Sequence, residues 1–196
     1  MKPEFIPIRN YISQFICITD SEWAIHEEKL TKRFFKKGEF LLKPGEVCGH
    51  VSFINSGSFR SFSVLEHEER TYFFAFENEY VTDYESFLSR QPSPNSIQAM
   101  EDAEVLQLSY EDMQYCYEKI PVWQKFGRLI AEYIYMGVSK RAYNLQTQTP
   151  EQLYLKILND SPKLVERVPQ HYIASYLGIK PESLSRIRGR LAATRN

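Results

Sequence analysis

The spacing of apolar positions changes twice along the chain, from helical to strand-like and back to helical, and each change predicts a change of structure. Over residues 1–31 apolar and charged positions alternate at helical spacing. In ITDSEWAIHEEKLTKRFF, Trp23, Ile25 and Leu30 offer an apolar face and the acids cluster early, where a helix dipole favours them. Asp20 or Ser21 can cap this helix. From Arg33 to about Val81 short runs rich in Phe, Val, Ile, Ser and Tyr are punctuated by glycine. Lys36-Lys37-Gly38-Glu39, Lys43-Pro44-Gly45-Glu46 and Asn55-Ser56-Gly57-Ser58 read as turns. Strands broken at such short intervals predict an antiparallel β-sandwich or roll, and SIQAMEDAEVLQLS adds two more strands near 97–109. Between them, Thr82 or Asp83 can cap a short helix running to Leu88, and Pro92 and Pro94 force a loop after it.

From Tyr110 onward the spacing is helical. Asp112, Met113 and Tyr117 fit one short helix. Pro121 suits the first turn of a long one reaching about Gln146. Its apolar positions include Val122, Phe126, Leu129, Ile130, Tyr133, Met136 and Val138. A helix of about 25 residues exceeds what one small roll needs. Phe126, Leu129, Ile130 and Tyr133 therefore read as a dimer seam, against the alternative of a helix packed only on its own chain. Thr149 can cap a further helix starting at Pro150.

The segment PQHYIASYLGIKPESLSRIRGRL carries the most specific pattern. A helix over Gln170–Tyr176, a turn centred on Gly178 and a second helix from Pro181 to about Leu191 place Ile173, Ala174 and Leu177 opposite Leu184, Ile187 and Leu191. Ala174 is small where a second helix crosses closely, and Gly178 fits the left-handed position that ends a helix. This is the spacing of a helix-turn-helix. The outward face of the second helix then holds Glu182, Ser183, Ser185, Arg186, Arg188 and Arg190. Arg can grip guanine with two hydrogen bonds, Glu can accept from cytosine, and Ser can contact bases or phosphate. The competing reading is a helical hairpin with a solvated basic face.

Charge sharpens this division. The whole chain is nearly neutral, with 24 Lys+Arg against 25 Asp+Glu. From Pro162 onward there are seven basic residues, Arg195 among them, and only Glu166 and Glu182 oppose them. That leaves +5 on the tail and −6 on the first 161 residues. A basic tail on an acidic body suits a polyanion partner. The 28 aromatics (13 Phe, 13 Tyr, 2 Trp) supply a core and argue against a disordered chain. No apolar run reaches the roughly 18 residues of a membrane span, and MKPEFIPIRNYISQF lacks a signal-peptide pattern. Cys17, Cys48 and Cys116 are odd in number and far apart, so no disulfide framework or cysteine metal cluster is expected. The expectation is a cytoplasmic protein without membrane contact.

With GEFLLKPGE and INSGSFRSF as glycine-marked hairpins, NEYVTDYESFL between strands and VPQHYIASYLGIKPESLSRIRGRL at the end, residues 30–191 resemble the Crp/Fnr family of bacterial transcription regulators. The resemblance implies an α+β fold. An antiparallel β-roll (a double-stranded β-helix like that of cyclic-nucleotide-binding domains) with flanking helices would occupy residues 1–118. A dimerisation helix would span 119–147, and an all-α helix-turn-helix domain 148–196. It implies a homodimer whose partner is double-stranded DNA, with RNA polymerase and a small-molecule effector as further candidates. Glu182 and Arg186 match the family's base-reading Glu and Arg. Ser183 and Ser185 match neighbouring contact positions, and Gln170 a phosphate-contacting one. Lys180, Arg188 and Arg190 are expected on phosphate. Pro181 replaces the Arg often found just before the Glu, so the operator should differ from the best-known ones.

The phosphate-binding cassette departs further. A cAMP-binding member has Gly-Glu for the ribose and Arg-Ser/Thr for the phosphate; here Thr82-Asp83 and Ser93-Pro94-Asn95 stand in those places. The missing Arg would neutralise the phosphate with paired hydrogen bonds, and Arg90 is offset by three positions. cAMP is therefore not the expected ligand, and no cofactor is. Iron–sulfur sensing needs clustered cysteines near the N-terminus, where Cys17 stands alone. His50, His67 and Cys48 offer little to a haem. The segment TYFFAFENEYVTDYESF holds seven aromatics in 17 residues. It reads either as roll core or as an effector pocket, for which Tyr72, Phe74, Thr82, Asp83, Tyr84, Arg90 and Ser93 are the candidates. A rival from another class is a sensor or adaptor that has lost DNA binding. A cupin-type enzyme is disfavoured. His26, His50, His67 and His171 are too scattered to hold a metal, and no nucleophile–base constellation supplies catalytic residues.

Overall fold

The computed structural model describes residues 2–194, so Arg195 lies outside the described residues. The chain forms two compact units. The first comprises residues up to Arg60 together with Ala75–Tyr135; the second comprises Ser61–Phe74 and the chain from Met136 onward.

Most of an open antiparallel jelly-roll flanked by helices falls in the first unit, residues 61–74 of its strands being counted with the second. A short 3₁₀ turn (Pro3–Phe5) leads into α1 (Ile6–Ser13) and α2 (Asp20–Lys29). The strands follow: β1 (Thr31–Phe35), β2 (Phe40–Leu42), β3 (His50–Ser56), β4 (Phe59–Leu65), β5 (Glu68–Ala75), β6 (Tyr80–Val81), β7 (Asn95–Ala99) and β8 (Ala103–Ser109). They make two four-stranded sheets, β1-β8-β3-β6 and β2-β7-β4-β5, with α3 (Tyr84–Ser89) inserted between β6 and β7. The expected glycine turns are present, since Gly38, Gly45 and Gly57 all take positive φ. Gly57 is the most constrained. Its φ is +89°, and a Cβ there would lie 2.6 Å from the Cβ of Ala103.

Two apolar clusters hold this unit. One fills the roll, with Phe35, Ile54, Phe59, Phe87, Ile97 and Val105 among its buried members. The other lies between the first sheet and the helices. There Phe53 and its cross-strand partner Leu106 meet Ile8, Ile12, Trp23 and Trp123. Cross-strand pairs such as Phe53–Leu106 are the unit of sheet stabilisation. Helix α4 (Tyr110–Lys119) and the start of α5 (Pro121–Thr147) close this second cluster.

Two expectations need correction here. The cap of α2 is Thr19, not Asp20 or Ser21. Thr19 accepts from the Glu22 N–H, and the Glu22 carboxylate accepts from the Thr19 N–H, a reciprocal capping box. These hydrogen bonds hold the Glu22 carboxyl below its ordinary range. The second correction concerns the seam. Phe126 is buried in its own chain, with its ring 5.0 Å from that of Trp123 and 5.9 Å from that of Phe15. Ile130 also packs against this cluster. Leu129 is half-buried, while Tyr133 is 61% exposed.

The second unit joins the distal β4–β5 hairpin to helices. Beyond Met136 come the last turns of α5, then α6 (Pro150–Asp160), α7 (Pro162–Arg167), α8 (Gln170–Tyr176) and α9 (Pro181–Thr194). Thr149 caps α6 as expected, in a capping box with Gln152. Tyr154, Leu164, Val168 and Ile173 are among its buried residues. The hairpin turns at Glu66 and His67, both with positive φ, the signature of a tight hairpin turn built here without glycine or asparagine.

Candidate nucleic-acid interface and ligand cassette

In the second unit α8 and α9 form the anticipated helix-turn-helix. Gly178 takes φ +71°, its N–H donates to the Ser175 carbonyl, and the Ile179 N–H donates to the Ala174 carbonyl. This arrangement ends α8 and turns the chain into α9. Ile173, Ala174, Leu177, Leu184 and Ile187 are buried at the crossing, and Leu191 is half-buried. Burying that stripe turns the remaining positions outward. Gln170, Lys180, Glu182, Ser185, Arg186 and Arg190 are exposed, and Ser183 and Arg188 are half-buried.

Their local bonding differs. Arg186 donates to the Ser183 hydroxyl at 3.2 Å, which holds the guanidinium along the helix. Arg190 is ion-paired with Glu151 on α6, so the reading of Arg190 as a plain phosphate contact is modified: that pair must open first. Against α8 lies the β4–β5 hairpin of the same unit. The Thr71 N–H donates to the Ser175 hydroxyl at 2.9 Å, and that hydroxyl donates to the Glu69 carbonyl at 2.8 Å. The rings of Phe74 and Tyr176 lie 5.4 Å apart. Arg141 donates to the Tyr176 carbonyl at 3.0 Å and lies 3.7 Å over its ring. Burial holds the Arg141 guanidinium below its ordinary value, partly offset by Tyr176. Nothing in the sequence alone ties Ser175 to the hairpin, because the partners lie about a hundred residues apart.

The candidate effector residues divide. Phe74 is buried against Tyr176 and Tyr72 is half-buried, and both belong to the second unit. Thr82, Asp83, Tyr84, Arg90 and Ser93 belong to the first. The structure thus does not gather the seven into one pocket within either unit. In the first unit the cassette is closed on itself. Asp83 caps α3 by accepting from the Ser86 N–H at 3.1 Å. Its other oxygen accepts from the Ser93 hydroxyl at 2.6 Å and from the Asn95 amide at 2.8 Å. Asp83 and Ser93 are buried. A carboxylate of the chain thus takes up the donors of Ser93 and Asn95, two residues of the segment matched to the phosphate site. Ser93 and Asn95 stand close to Asp83 only because β6 and β7 flank α3, a juxtaposition the linear spacing does not reveal.

Arg90 is no substitute for the missing Arg. It ends α3 in the left-handed conformation, donates to the Cys48 and Phe87 carbonyls, and lies 4.4 Å over the Tyr110 ring. The Thr82 hydroxyl donates to the His50 carbonyl. Burial pushes Tyr84 up and, with nearby Arg33, holds His50 down. Among the described residues no group of three or more His, Cys, Asp or Glu is arranged to hold a metal ion. No helix among them is long and apolar enough to cross a membrane.

Similarity to known proteins agrees with this architecture. Residues 32–119 match the cyclic nucleotide-binding domain family. Over 167 residues the chain is 26% identical to the transcriptional activator protein anr of Pseudomonas aeruginosa, covering 79% of this chain and 68% of that one. Residues 32–119 thus carry a cyclic nucleotide-binding-type domain, and the chain as a whole is similar to Crp/Fnr-type regulators. Solved structures of similar fold include the catabolite activator protein of Thermus thermophilus, with a TM-score of 0.58 and 21% identity over 92% of this chain and 86% of that one. FixK2 from Bradyrhizobium japonicum superposes with a TM-score of 0.68 at 17% identity, over 84% and 85%. The α+β jelly-roll with a C-terminal helical region is the fold these structures share with this chain. Two of these relatives are named as activators, a transcriptional activator protein and a catabolite activator protein.

Proposed function

We propose that this chain is a homodimeric, sequence-specific DNA-binding transcription regulator of the cytoplasm that reads DNA without a cyclic nucleotide. The observation that carries the DNA reading is the outward face of α9. Glu182, Ser185 and Arg186 are exposed there while Leu184 and Ile187 anchor the helix, so the polar groups are free to meet base edges. Gln170, Lys180 and Arg188 supply further donors for phosphate.

Dimerisation is supported by α5. Along its exposed side Tyr133, Met136 and Tyr143 are 61%, 61% and 67% exposed. With Leu129 they keep the four-and-three spacing of a two-helix seam, interrupted by Lys140. A second copy of the same helix would cover this stripe. Two recognition helices would then meet successive major grooves about one helical turn apart.

Independence from a cyclic nucleotide is supported by Asp83. Seating a cyclic phosphate at Ser93 and Asn95 would bring a second negative charge against this buried carboxylate, with Arg90 committed elsewhere. Selection of bound duplexes from random oligonucleotides, with and without cAMP, tests the proposal. A two-fold site enriched equally in both arms is expected. Enrichment only with cAMP overturns the nucleotide-independent part. No enrichment in either arm, together with stabilisation of the protein by a small molecule, favours an adaptor that does not bind DNA.

A further inference from the structure

Within the second unit the first turn of α6 and one side of α9 border an open groove of about 560 Å³. Arg186 and Arg190 bring two guanidinium groups to it from α9, and Glu151 brings a carboxylate from α6. The two arginines are four residues apart, so they share one face of α9.

They are held in opposite ways. Arg186 donates to the Ser183 hydroxyl, a neutral group on its own helix, so its charge stays available to an anion. Arg190 donates to the Glu151 carboxylate across the groove, so its charge is already met by an opposite one.

Glu151 is suited to hold that pair. It stands in the first turn of α6, where the helix dipole favours a carboxylate. The helix end does not need it, because Thr149 and Gln152 close the cap between them. The bond to Arg190 is therefore the role left for this side chain.

The consequence for a polyanion follows. A phosphate reaching Arg190 must first displace a carboxylate bonded to it, and must then lie beside that negative charge in the same groove. Both effects oppose a phosphate contact, which fixes position but carries no sequence information. Binding to DNA of arbitrary sequence rests essentially on such contacts, so withholding one weakens it.

We propose that Glu151 sets the sequence-independent DNA affinity of this protein by keeping Arg190 off the phosphate backbone. Arg186, one turn earlier on the same face, remains free to meet bases. The proposal rests on the DNA reading above.

Fluorescence anisotropy of the full chain on a random-sequence duplex, over a series of KCl concentrations, compares wild type, Glu151→Gln, Arg190→Ala and the double variant. Each phosphate contact adds about 0.9 to the slope of log affinity against log salt. Glu151→Gln should steepen the slope by about that amount. It should also tighten binding by up to about fivefold, the strength of an exposed ion pair now made to phosphate instead of to Glu151. Adding Arg190→Ala should abolish both gains. Gains that survive in the double variant come from deleting a negative charge near DNA, not from freeing Arg190, and overturn the proposal. An unchanged slope in Glu151→Gln, or in Glu151→Ala if the first variant does not fold, overturns it too. So does a wild-type slope that Arg190→Ala alone lowers by about 0.9, because Arg190 would then already sit on phosphate. Wild type that binds no duplex at any salt overturns the DNA reading and this proposal with it. The other contrary outcomes leave the DNA reading standing.

Discussion

His26 makes a quantitative claim about pH. The imidazole is sealed between Trp23, Trp123 and Cys116, and burial holds its pKa at about 3 in the folded protein against an ordinary value of 6.5. The folded state therefore keeps His26 neutral where the unfolded chain binds a proton. For a base with a depressed folded pKa, no stability is lost above pH 6.5. Stability falls as pH drops through 6.5 and stops falling below about 3. The slope in that window is about 1.4 kcal/mol per pH unit, which gives a loss of about 2 kcal/mol at pH 5. Urea unfolding followed by tryptophan fluorescence reads this unit, because Trp23 and Trp123 both belong to it. Comparing wild type with His26→Leu at pH 8 and pH 5 cancels the carboxylates common to both. Wild type should lose about 2 kcal/mol more than the variant. Equal losses would refute the reasoning, as would an NMR titration of His26 with its midpoint near 6.5.

Three further outcomes are expected. Gly57→Ala should destabilise the first unit by about 2–4 kcal/mol in denaturant titration, since the residue has φ +89° and its new Cβ would meet Ala103. Asp83→Ala leaves Ser93 and Asn95 without their acceptor and should cost about 1–3 kcal/mol; a neutral effect would contradict the self-closed cassette. Ser175→Ala removes the side chain that accepts from Thr71 and donates to Glu69. Faster amide exchange at Thr71 is the expected result, and unchanged exchange would show that the clasp is not held there.

Much of this was legible in the residues. Gly38, Gly45 and Gly57 marked turns because only a residue without Cβ takes their φ cheaply. Thr149 before Pro150 and Gly178 after Tyr176 bounded helices through local chemistry, and the burial of Ile173, Ala174 and Leu184 followed from spacing alone. What stayed hidden depends on neighbours distant in sequence. Phe126 fits a surface stripe by its spacing, but Phe15 and Trp123 claim it. Thr19 wins the cap of α2 because Glu22 stands three residues on, which favours Thr19 over the acid and serine beside it. Asp83 reads as a failed ribose ligand until Ser93 and Asn95 are seen bonded to it. His26 enters the sequence reading only as a histidine too far from the others to hold a metal, and the burial that makes it informative comes from Cys116 of α4 and Trp123 of α5.

The central claim is that α9 reads DNA in the nucleotide-free protein. Fluorescence anisotropy of the full chain on a selected duplex, in buffer without nucleotide, compares wild type with Arg186→Ala on that duplex and on random sequence. Arg186→Ala should weaken binding to the selected duplex by about 1–3 kcal/mol and to random DNA by less. Equal weakening on both duplexes, or wild-type binding that appears only with cAMP, would contradict the account.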